Sequence, residues 1–247
     1  YALRGLCYME FIVKGPNRDL HSGMYGGMIQ NPLNAVGKII NMLQDEDGVI
    51  QVPGFYDDVV PVTDAERAEF AAIGNHDEAM KSDLTIPAVW GEKGYTSLER
   101  NWVRPSIDIN GIWGGFAGEG AKTVIASHGG FKVSCRLVAN QSPDKIAKLL
   151  AAFVESKCPP GVTVEAVYHH GGEPVLVPTD NFFMRATIAA FNKVFGKKPV
   201  LVREGASIPI TATFYEQLKA PPVLVGYGLP DDNIHSPNEK MSLDNFQ

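Results

Sequence analysis

The 247-residue sequence lacks the features that would tie it to a membrane or to a nucleic acid. Its apolar runs, such as residues 221–225, are much shorter than the roughly 20 apolar residues that a membrane-spanning helix needs. Basic residues are outnumbered, with 22 Lys and Arg against 28 Asp and Glu, and the net charge is −6. Because an acidic chain is repelled by phosphate groups, we expect neither a membrane nor a nucleic acid as a partner.

Cysteine is scarce, and the familiar motifs of nucleotide-binding and hydrolytic enzymes are missing. The three cysteines, Cys7, Cys135 and Cys158, are odd in number and show no C-x-x-C spacing. We therefore expect reduced thiols and a reducing compartment, the cytoplasm. The sequence has no G-x-G-x-x-G that opens a helix, no Walker loop, no H-E-x-x-H and no G-x-S-x-G. These absences leave no local signature of dinucleotide binding or of serine or cysteine catalysis.

What the sequence does contain, over its first two thirds, is an alternation of strand and helix patterns. The acidic stretch at about residues 53–102 interrupts this alternation, and it predicts an insertion with two short surface helices. Without the insertion, the order of elements is strand, helix, strands, helix, strand, which predicts an α+β fold, an antiparallel α/β sandwich of the ferredoxin-like kind. The strands are predicted at residues 6–13, 106–112, 123–126, 131–138 and 162–168, and the helices start at Asn31-Pro32 and Ser142-Pro143.

The composition changes at residues 171–174, where Gly-Gly-Glu-Pro predicts a hinge. The part that follows is predicted to contain a helix at 181–195, a strand at 199–203, a helix from Pro209 and a buried strand at 222–227. Helices that alternate with apolar strands indicate α/β structure, but two strands make a marginal core. We therefore expect this second part to be an incomplete α/β domain.

Two of the six histidines, His21 and His235, lie in loops of small and polar residues. An imidazole in such a loop can ligate zinc or donate a hydrogen bond to a developing oxyanion, although a purely structural role is equally compatible with the spacing. The segment 203–209 places a charged pair, a small-residue turn and a hydroxyl where a strand leads into a helix. Its backbone N–H groups can bind a carboxylate, or the segment can simply cap the helix.

Five segments occur in a characteristic order: Asp19-Leu20-His21-Ser22-Gly23 with Gly26-Gly27, Gly120-Ala121-Lys122-Thr123-Val124-Ile125, Arg136-Leu137-Val138, residues 203–209, and residues 232–236. Together they resemble the co-catalytic zinc peptidases of the aminoacylase, carboxypeptidase G and carnosinase superfamily, and most of all its cytosolic non-specific dipeptidase and carnosinase branch. The resemblance implies that residues 5–172 form a lid domain that also makes a homodimer. Residues 173–247 would then be the returning C-terminal part of the catalytic domain. The H-x-D segment and the Glu-Glu pair of the family have no match here, so the chain alone is expected to be inactive.

The same resemblance implies a mechanism. Family members hold two zinc ions, with manganese as an alternative, and a water between the ions attacks the substrate while a glutamate takes its proton. His235 matches a metal ligand of the family. His21 matches the lid histidine that reaches the site of the partner subunit and stabilises the oxyanion. Arg136 matches the residue that clamps the carboxylate of the substrate.

Further matches concern the substrate. Thr123 and Ser207 match hydroxyls that line the substrate site, and Glu204 matches a catalytic-site residue that faces the free amino end of the substrate. Gly205 and Ala206 lie where the backbone approaches the substrate, but Ala206 stands where the dipeptidase branch usually has a second glycine. A positive clamp at one end and a carboxylate at the other are typical of a dipeptidase.

Asn110 departs from the pattern, since the nearest relatives often carry histidine there, although other branches use asparagine nearby to reach the substrate carboxylate. Two alternatives to a dipeptidase therefore stay open. One is an amidohydrolase of N-acyl amino acids, and the other is a non-catalytic module for dimerisation or ligand binding. The presence of His235, Glu204 and Ser207 favours an enzyme over the module.

Overall fold

The structure is a computed structural model that describes residues 1–229 and 231–244. Its strands and helices are, in chain order, β1 (Ala2–Leu3), β2 (Gly5–Lys14), β3 (Leu20–His21), α1 (Ser22–Tyr25), α2 (Pro32–Asn41), α3 (Asp64–Ile73), α4 (Asp77–Leu84), α5 (Ser97–Trp102), β4 (Ser106–Gly114), β5 (Val124–Ile125), β6 (His128–Leu137), α6 (Pro143–Ser156), β7 (Thr163–Gly172), β8 (Val175–Leu176), α7 (Phe182–Phe195), β9 (Arg203–Glu204) and α8 (Pro209–Leu218).

The first part of the chain is built on an antiparallel sheet with strand order β4-β6-β2-β7, which we call the large sheet. Helices α2 and α6 pack on one of its faces. The elements follow one another as β2, α2, β4, β6, α6 and β7, so the predicted α+β sandwich of the ferredoxin-like kind is confirmed. Along β2, buried and partly exposed residues alternate, as expected for a strand with one covered face.

The core lies between the large sheet and the two helices. Phe11 of β2 and Phe131 of β6 are fully buried and stack with their ring centroids 5.1 Å apart. Ile39 of α2 and Leu150 of α6 close the core from the other side. Helix α2 begins as predicted, because Asn31 Oδ1 accepts a hydrogen bond from Leu33 N at 2.9 Å.

The segment predicted as an insertion, at about residues 53–102, lies between α2 and β4, and we call it the insertion. Within the described residues it contains three helices rather than the predicted two. Helices α3 and α4 lie where the acidic segments predict them, and α5 is the addition. Both α3 and α5 start with a capping box, in which Thr63 pairs with Glu66 and Thr96 pairs with Glu99. The Thr96-x-x-Glu99 spacing is therefore the signal that identifies α5, which is otherwise too short to show a helical period.

The second part of the chain forms a small sheet with strand order β8-β1-β9. Strand β1 pairs antiparallel with β8 and parallel with β9. Helices α7 and α8 confirm the predictions for residues 181–195 and for Pro209, but the strand predicted at 199–203 is reduced to Arg203–Glu204. Among the described residues, the hydrophobic cluster at the small sheet is small and consists of Leu3, Val175 and Val177.

The strand predicted at residues 222–227 is wrong, since the structure shows no regular secondary structure there. An apolar run becomes a strand only where a neighbouring strand satisfies its backbone groups. At the edge of the small sheet, β9 is two residues long and offers little backbone for pairing. Apolar side chains of this part also stay exposed, among them Phe182, Val194 and Leu218.

The division into domains at residues 5–172 and 173–247 stays a prediction, and residues 230 and 245–247 of the second range lie outside the described residues. Among the helices of the described part, none combines the length and the apolar character that crossing a membrane requires.

Candidate functional site

Arg136 and Ser207 are brought together at the end of the large sheet where β2 begins and β6 ends. Arg136 Nη1 donates a hydrogen bond to Ser207 Oγ at 2.8 Å. Ser207 Oγ in turn donates to the carbonyl oxygen of Gly5 at 3.3 Å. Cys135 and Leu137 point into the core, and side chains alternate along a strand, so Arg136 projects from the face that the helices leave open.

The segment 203–207, which we call the site loop, includes three more of the predicted residues. Glu204 Oε1 accepts hydrogen bonds from Gly205 N at 2.8 Å and from Ala206 N at 3.3 Å. The backbone N–H groups predicted to bind a carboxylate therefore do so, but the carboxylate that they bind is the side chain of Glu204 in the same loop. Gly205 is buried, whereas Glu204 and Ala206 are exposed to solvent.

Arg4 belongs to this group, although nothing in the sequence pattern singles it out. Its Nε donates to the carbonyl oxygen of Gly205 at 2.8 Å, and its backbone N donates to that of Ala206 at 3.1 Å. Burial, and then the positive charge of Arg136, lower the pKa of the Arg4 guanidinium to about 10, while Asp108 and Glu204 act in the opposite direction. Two guanidinium groups thus lie close together beside the site loop and make this end of the sheet attractive to a carboxylate.

Asn110 lies apart from this group, in the edge strand β4. The register of β4 against β6 shifts between Ile109 and Gly111, so Asn110 is the extra residue of a β-bulge. Its side chain is exposed. Ser106, which is opposite Arg136, is four residues away, about 13 Å along the strand.

His21 and Thr123 form a second group at the other end of the large sheet. Strand β3 pairs with β5, and Ser22 N donates to the carbonyl oxygen of Thr123 at 3.1 Å. Gly23 N donates to His21 Nδ1 at 3.0 Å. Because Nδ1 accepts this hydrogen bond, the neutral ring carries its proton on Nε2, which is then a donor. Both side chains are exposed.

The two groups are separated by the length of strand β6. Asp19 Oδ1 accepts a hydrogen bond from Ser127 N at 2.9 Å, which fixes the His21 loop beside His128 at the start of β6. From His128 to Arg136 the strand rises about 26 Å, at about 3.3 Å per residue. The structure therefore does not bring His21 or Thr123 to Arg136, Ser207 and Glu204 within one chain.

His235 lies in neither group. It is exposed in a turn with φ of 60°, next to the hydrogen bond from Ser236 N to the carbonyl oxygen of Asn233 at 2.9 Å. Within the described residues, no three His, Cys, Asp or Glu side chains converge on a point that could hold a metal ion. A zinc site needs three or four protein ligands, so the residues present do not make one by themselves.

The fold and these segments define the class of protein. The family described as the peptidase dimerisation domain, of the M20 peptidases, matches residues 1–162. The chain therefore belongs to the M20 peptidase dimerisation-domain family, which confirms the resemblance drawn from its five ordered segments.

Known relatives carry the names of dipeptidases. A Cys-Gly metallodipeptidase of Schizosaccharomyces pombe is 33% identical over 249 residues, covering 100% of this chain and 52% of that protein. A beta-Ala-His dipeptidase of Homo sapiens is 32% identical and covers 100% of this chain and 49% of its own length. The solved structure of an M20 family metallo-carboxypeptidase of Sulfolobus solfataricus has a TM-score of 0.86 at 27% identity, over 99% of this chain and 56% of that one. The chain thus spans about half the length of the curated relatives it matches.

Proposed function

We propose that the complete protein is a dipeptidase that hydrolyses dipeptides or short peptides with both termini free. The observation that carries this proposal is the contact between Arg136 and the site loop. The guanidinium lies 2.8 Å from the Ser207 hydroxyl, and the exposed carboxylate of Glu204 is in the same short loop. A guanidinium suits the carboxylate of a substrate, and a carboxylate suits an ammonium group. Two relatives named as dipeptidases support the same activity.

Arg136 and Ser207 are proposed to bind the carboxylate end of the substrate. Arg4 is tied to the loop carbonyls by two hydrogen bonds, so it supports the clamp more than it contacts the substrate. Glu204 is proposed to face the amino end, with Gly205 and Ala206 as the backbone beside the substrate. Asn110, on its bulge, is proposed as a further contact to the substrate. Such fixed contacts at both ends would orient the peptide bond for attack.

We propose that His21 and Thr123 act in the site of a second copy of the chain, as part of a homodimer. A dipeptide spans only about 7 Å, and the His21 loop is about 26 Å along the sheet from Arg136. One chain therefore does not present both groups to one small substrate. The match of residues 1–162 to a dimerisation domain supports the second copy, and the His21 Nε2 donor would stabilise an oxyanion there.

The complete protein is proposed to bind divalent metal ions, two zinc ions or manganese in their place, with His235 as one ligand. A relative named as a metallodipeptidase supports a divalent metal. The further ligands would have to come from outside the described residues, because these residues form no cluster of metal ligands. The cytoplasm is proposed as the compartment, since the three cysteines are free thiols.

The test uses the complete gene product, purified with zinc or with manganese. We expect hydrolysis of dipeptides such as Cys-Gly and β-Ala-His. We also expect much slower hydrolysis of the same dipeptides with an acetylated amino group or an amidated carboxyl group. Hydrolysis of N-acyl amino acids in preference to dipeptides would identify the amidohydrolase instead. A stable dimer that hydrolyses neither class would identify the non-catalytic module.

A further inference from the structure

The insertion contacts the site loop through a partly buried ion pair. Arg203 opens the loop, and its Nη2 pairs with Glu66 Oε1 of α3, although the two residues are 137 positions apart in sequence. Their side chains are only 10% and 23% exposed. Arg203 Nε also donates to the Tyr1 hydroxyl at 3.3 Å. Arg203 is therefore fixed from two sides, and the insertion supplies the negative charge.

A second contact comes from helix α5. A side chain at Gly205 would overlap the carboxamide of Asn101, so α5 packs directly against the backbone of the loop. Gly205 is buried by this contact and is also held by Arg4 through its carbonyl oxygen. Alternate residues of the loop, Arg203 and Gly205, are thus each in contact with a different helix of the insertion.

Helices α3 and α5 are joined to each other by an ion pair. Arg67 of α3 pairs with Glu99 of α5 at 2.6 Å, and Glu99 is only 3% exposed. Glu66 has two functions, because its Oε2 accepts from Thr63 N at 3.2 Å in the capping box while Oε1 pairs with Arg203. Burial pushes the pKa of Glu66 upward, but the hydrogen bonds from Arg203 and Thr63 outweigh it and hold the pKa below its ordinary value. The carboxylate is therefore charged and fixed at neutral pH.

We propose that helices α3 and α5 of the insertion are a positioning element of the site: Glu66 and Asn101, acting through Arg203 and Gly205, hold the loop in the conformation that presents Glu204 to the substrate. This inference rests on the proposed function, since it assigns helices α3 and α5 to the support of the same substrate site. Glu66 and Asn101 are positioning residues, because they touch the loop and not the substrate. Rigid support of this kind is what sets the precision of a binding group.

The experiment compares Glu66→Gln with wild type in the complete, metal-loaded protein. Two quantities are measured: kcat/KM for a dipeptide, and the inhibition constant of its des-amino analogue. We expect kcat/KM to fall about tenfold, because Glu204 is no longer held to face the amino group, while the inhibition constant changes less than about twofold. The matched control is Glu78→Gln in α4, whose carboxylate is 88% exposed and pairs with Lys81 at 2.6 Å. This control is expected to leave both quantities unchanged.

Two outcomes overturn the inference. One is an unchanged kcat/KM for the dipeptide in folded Glu66→Gln. The other is a weakening of des-amino analogue binding by the same factor as the fall in kcat/KM, which indicates general damage to the site. If Glu66→Gln does not fold, Glu66→Asp keeps the charge with a shorter side chain and carries the same expectation. Asn101→Ala tests the second contact independently. An unchanged kcat/KM for the dipeptide in that variant contradicts the positioning role of Asn101. A wild-type protein that hydrolyses no dipeptide refutes the proposed function itself, which is a different result.

Discussion

Arg136 donates a hydrogen bond to Ser207 across 2.8 Å, although the two residues are 71 positions apart. Arg136 is the next-to-last residue of strand β6 in the large sheet, and Ser207 ends the site loop just before α8. A guanidinium carries five N–H donors, so one hydrogen bond to a hydroxyl leaves donors for a substrate carboxylate. The contact joins the two parts of the chain at the point where we propose that the substrate binds.

Replacing Arg136 with Ala in the complete protein is expected to raise KM for dipeptides and to lower kcat/KM about 100-fold, or about 2.7 kcal/mol. The loss follows from the removal of a bidentate donor to the substrate carboxylate. Metal content, measured by atomic emission, should not change, because the guanidinium is not a metal ligand. Arg18→Ala, which removes an exposed arginine near the other end of the sheet, is the matched control. Unchanged dipeptide kinetics in Arg136→Ala would refute the clamp.

Mixing two inactive variants tests whether His21 works in the partner's site. His21→Ala and Arg136→Ala are each expected to be nearly inactive as homodimers. A mixed dimer has one site with both intact residues, so random reassociation should recover about one quarter of the wild-type activity. The measurement is the rate of dipeptide hydrolysis before and after subunit exchange. No recovery in a sample that has exchanged its subunits would show that His21 and Arg136 act in the same subunit.

The ion pair of Glu66 predicts a dependence of stability on pH. Its folded pKa lies below the ordinary value of 4.5, so its contribution to stability is fully present above that value and is lost as the pH falls through the lowered pKa. Glu66→Gln lacks this contribution at every pH. Melting curves of both proteins from about pH 7 to about pH 3 should show a gap in Tm that narrows under acid conditions. A gap that stays constant over this range would contradict the prediction.

Gly205→Ala is expected to destabilise the protein by about 1–3 kcal/mol, because the added methyl group would overlap the carboxamide of Asn101. The double variant Asn101→Ala/Gly205→Ala should recover part of this loss by making room. Ala206→Gly serves as the control, since Ala206 is exposed and its replacement should cost less than about 1 kcal/mol. Chemical denaturation of the wild type, the Gly205→Ala and Asn101→Ala single variants, the double variant and the control measures these differences. Strict additivity of the two single effects would argue against direct overlap.

The cysteines should react in a definite order. Cys7 and Cys135 face each other across β2 and β6 and are fully buried, and burial raises the pKa of Cys7 to about 12 and that of Cys135 well above its ordinary value. Cys158 is only partly buried, with a smaller rise in its thiol pKa. Because the thiolate is the reactive form, an alkylating reagent should modify Cys158 first. Mass spectrometry should find Cys7 and Cys135 modified only after unfolding, and their early modification would contradict the buried positions.

Much of the fold of the first part was open to prediction because its signals are local. The alternation of buried and partly exposed residues along β2 and the Asn31-Pro32 start of α2 each involve only a few neighbouring residues. Each therefore identifies one element without knowledge of the rest of the fold. The strand predicted at 222–227 was wrong because its signal is not local: an apolar run forms a buried strand only if other strands lie beside it. The sequence shows that these residues are apolar, but it does not show whether a partner is adjacent.

The candidate site was predictable as a set of residues but not as an arrangement. The motifs identify His21 and Arg136, yet no spacing rule states that they lie at opposite ends of one sheet. Nor does any pattern connect Glu66 with Arg203, because a contact over 137 positions exists only once both parts have folded. Arg4 was missed because a single arginine before a strand carries no signal until its partners are known.

The pairing of Leu3 with Val175 has one further consequence. The polypeptide leaves the small sheet after Leu3 and re-enters it at Val175, the residue directly opposite. Residues 4–174 are therefore inserted between two strands that pair like those of a β-hairpin. A two-residue turn in their place would join β1 to β8 without changing the order of the three strands. A replacement segment of different length would thus leave and re-enter the small sheet at these two neighbouring points, but it would have to supply its own contacts to the site loop in place of those from Arg136 and Glu66.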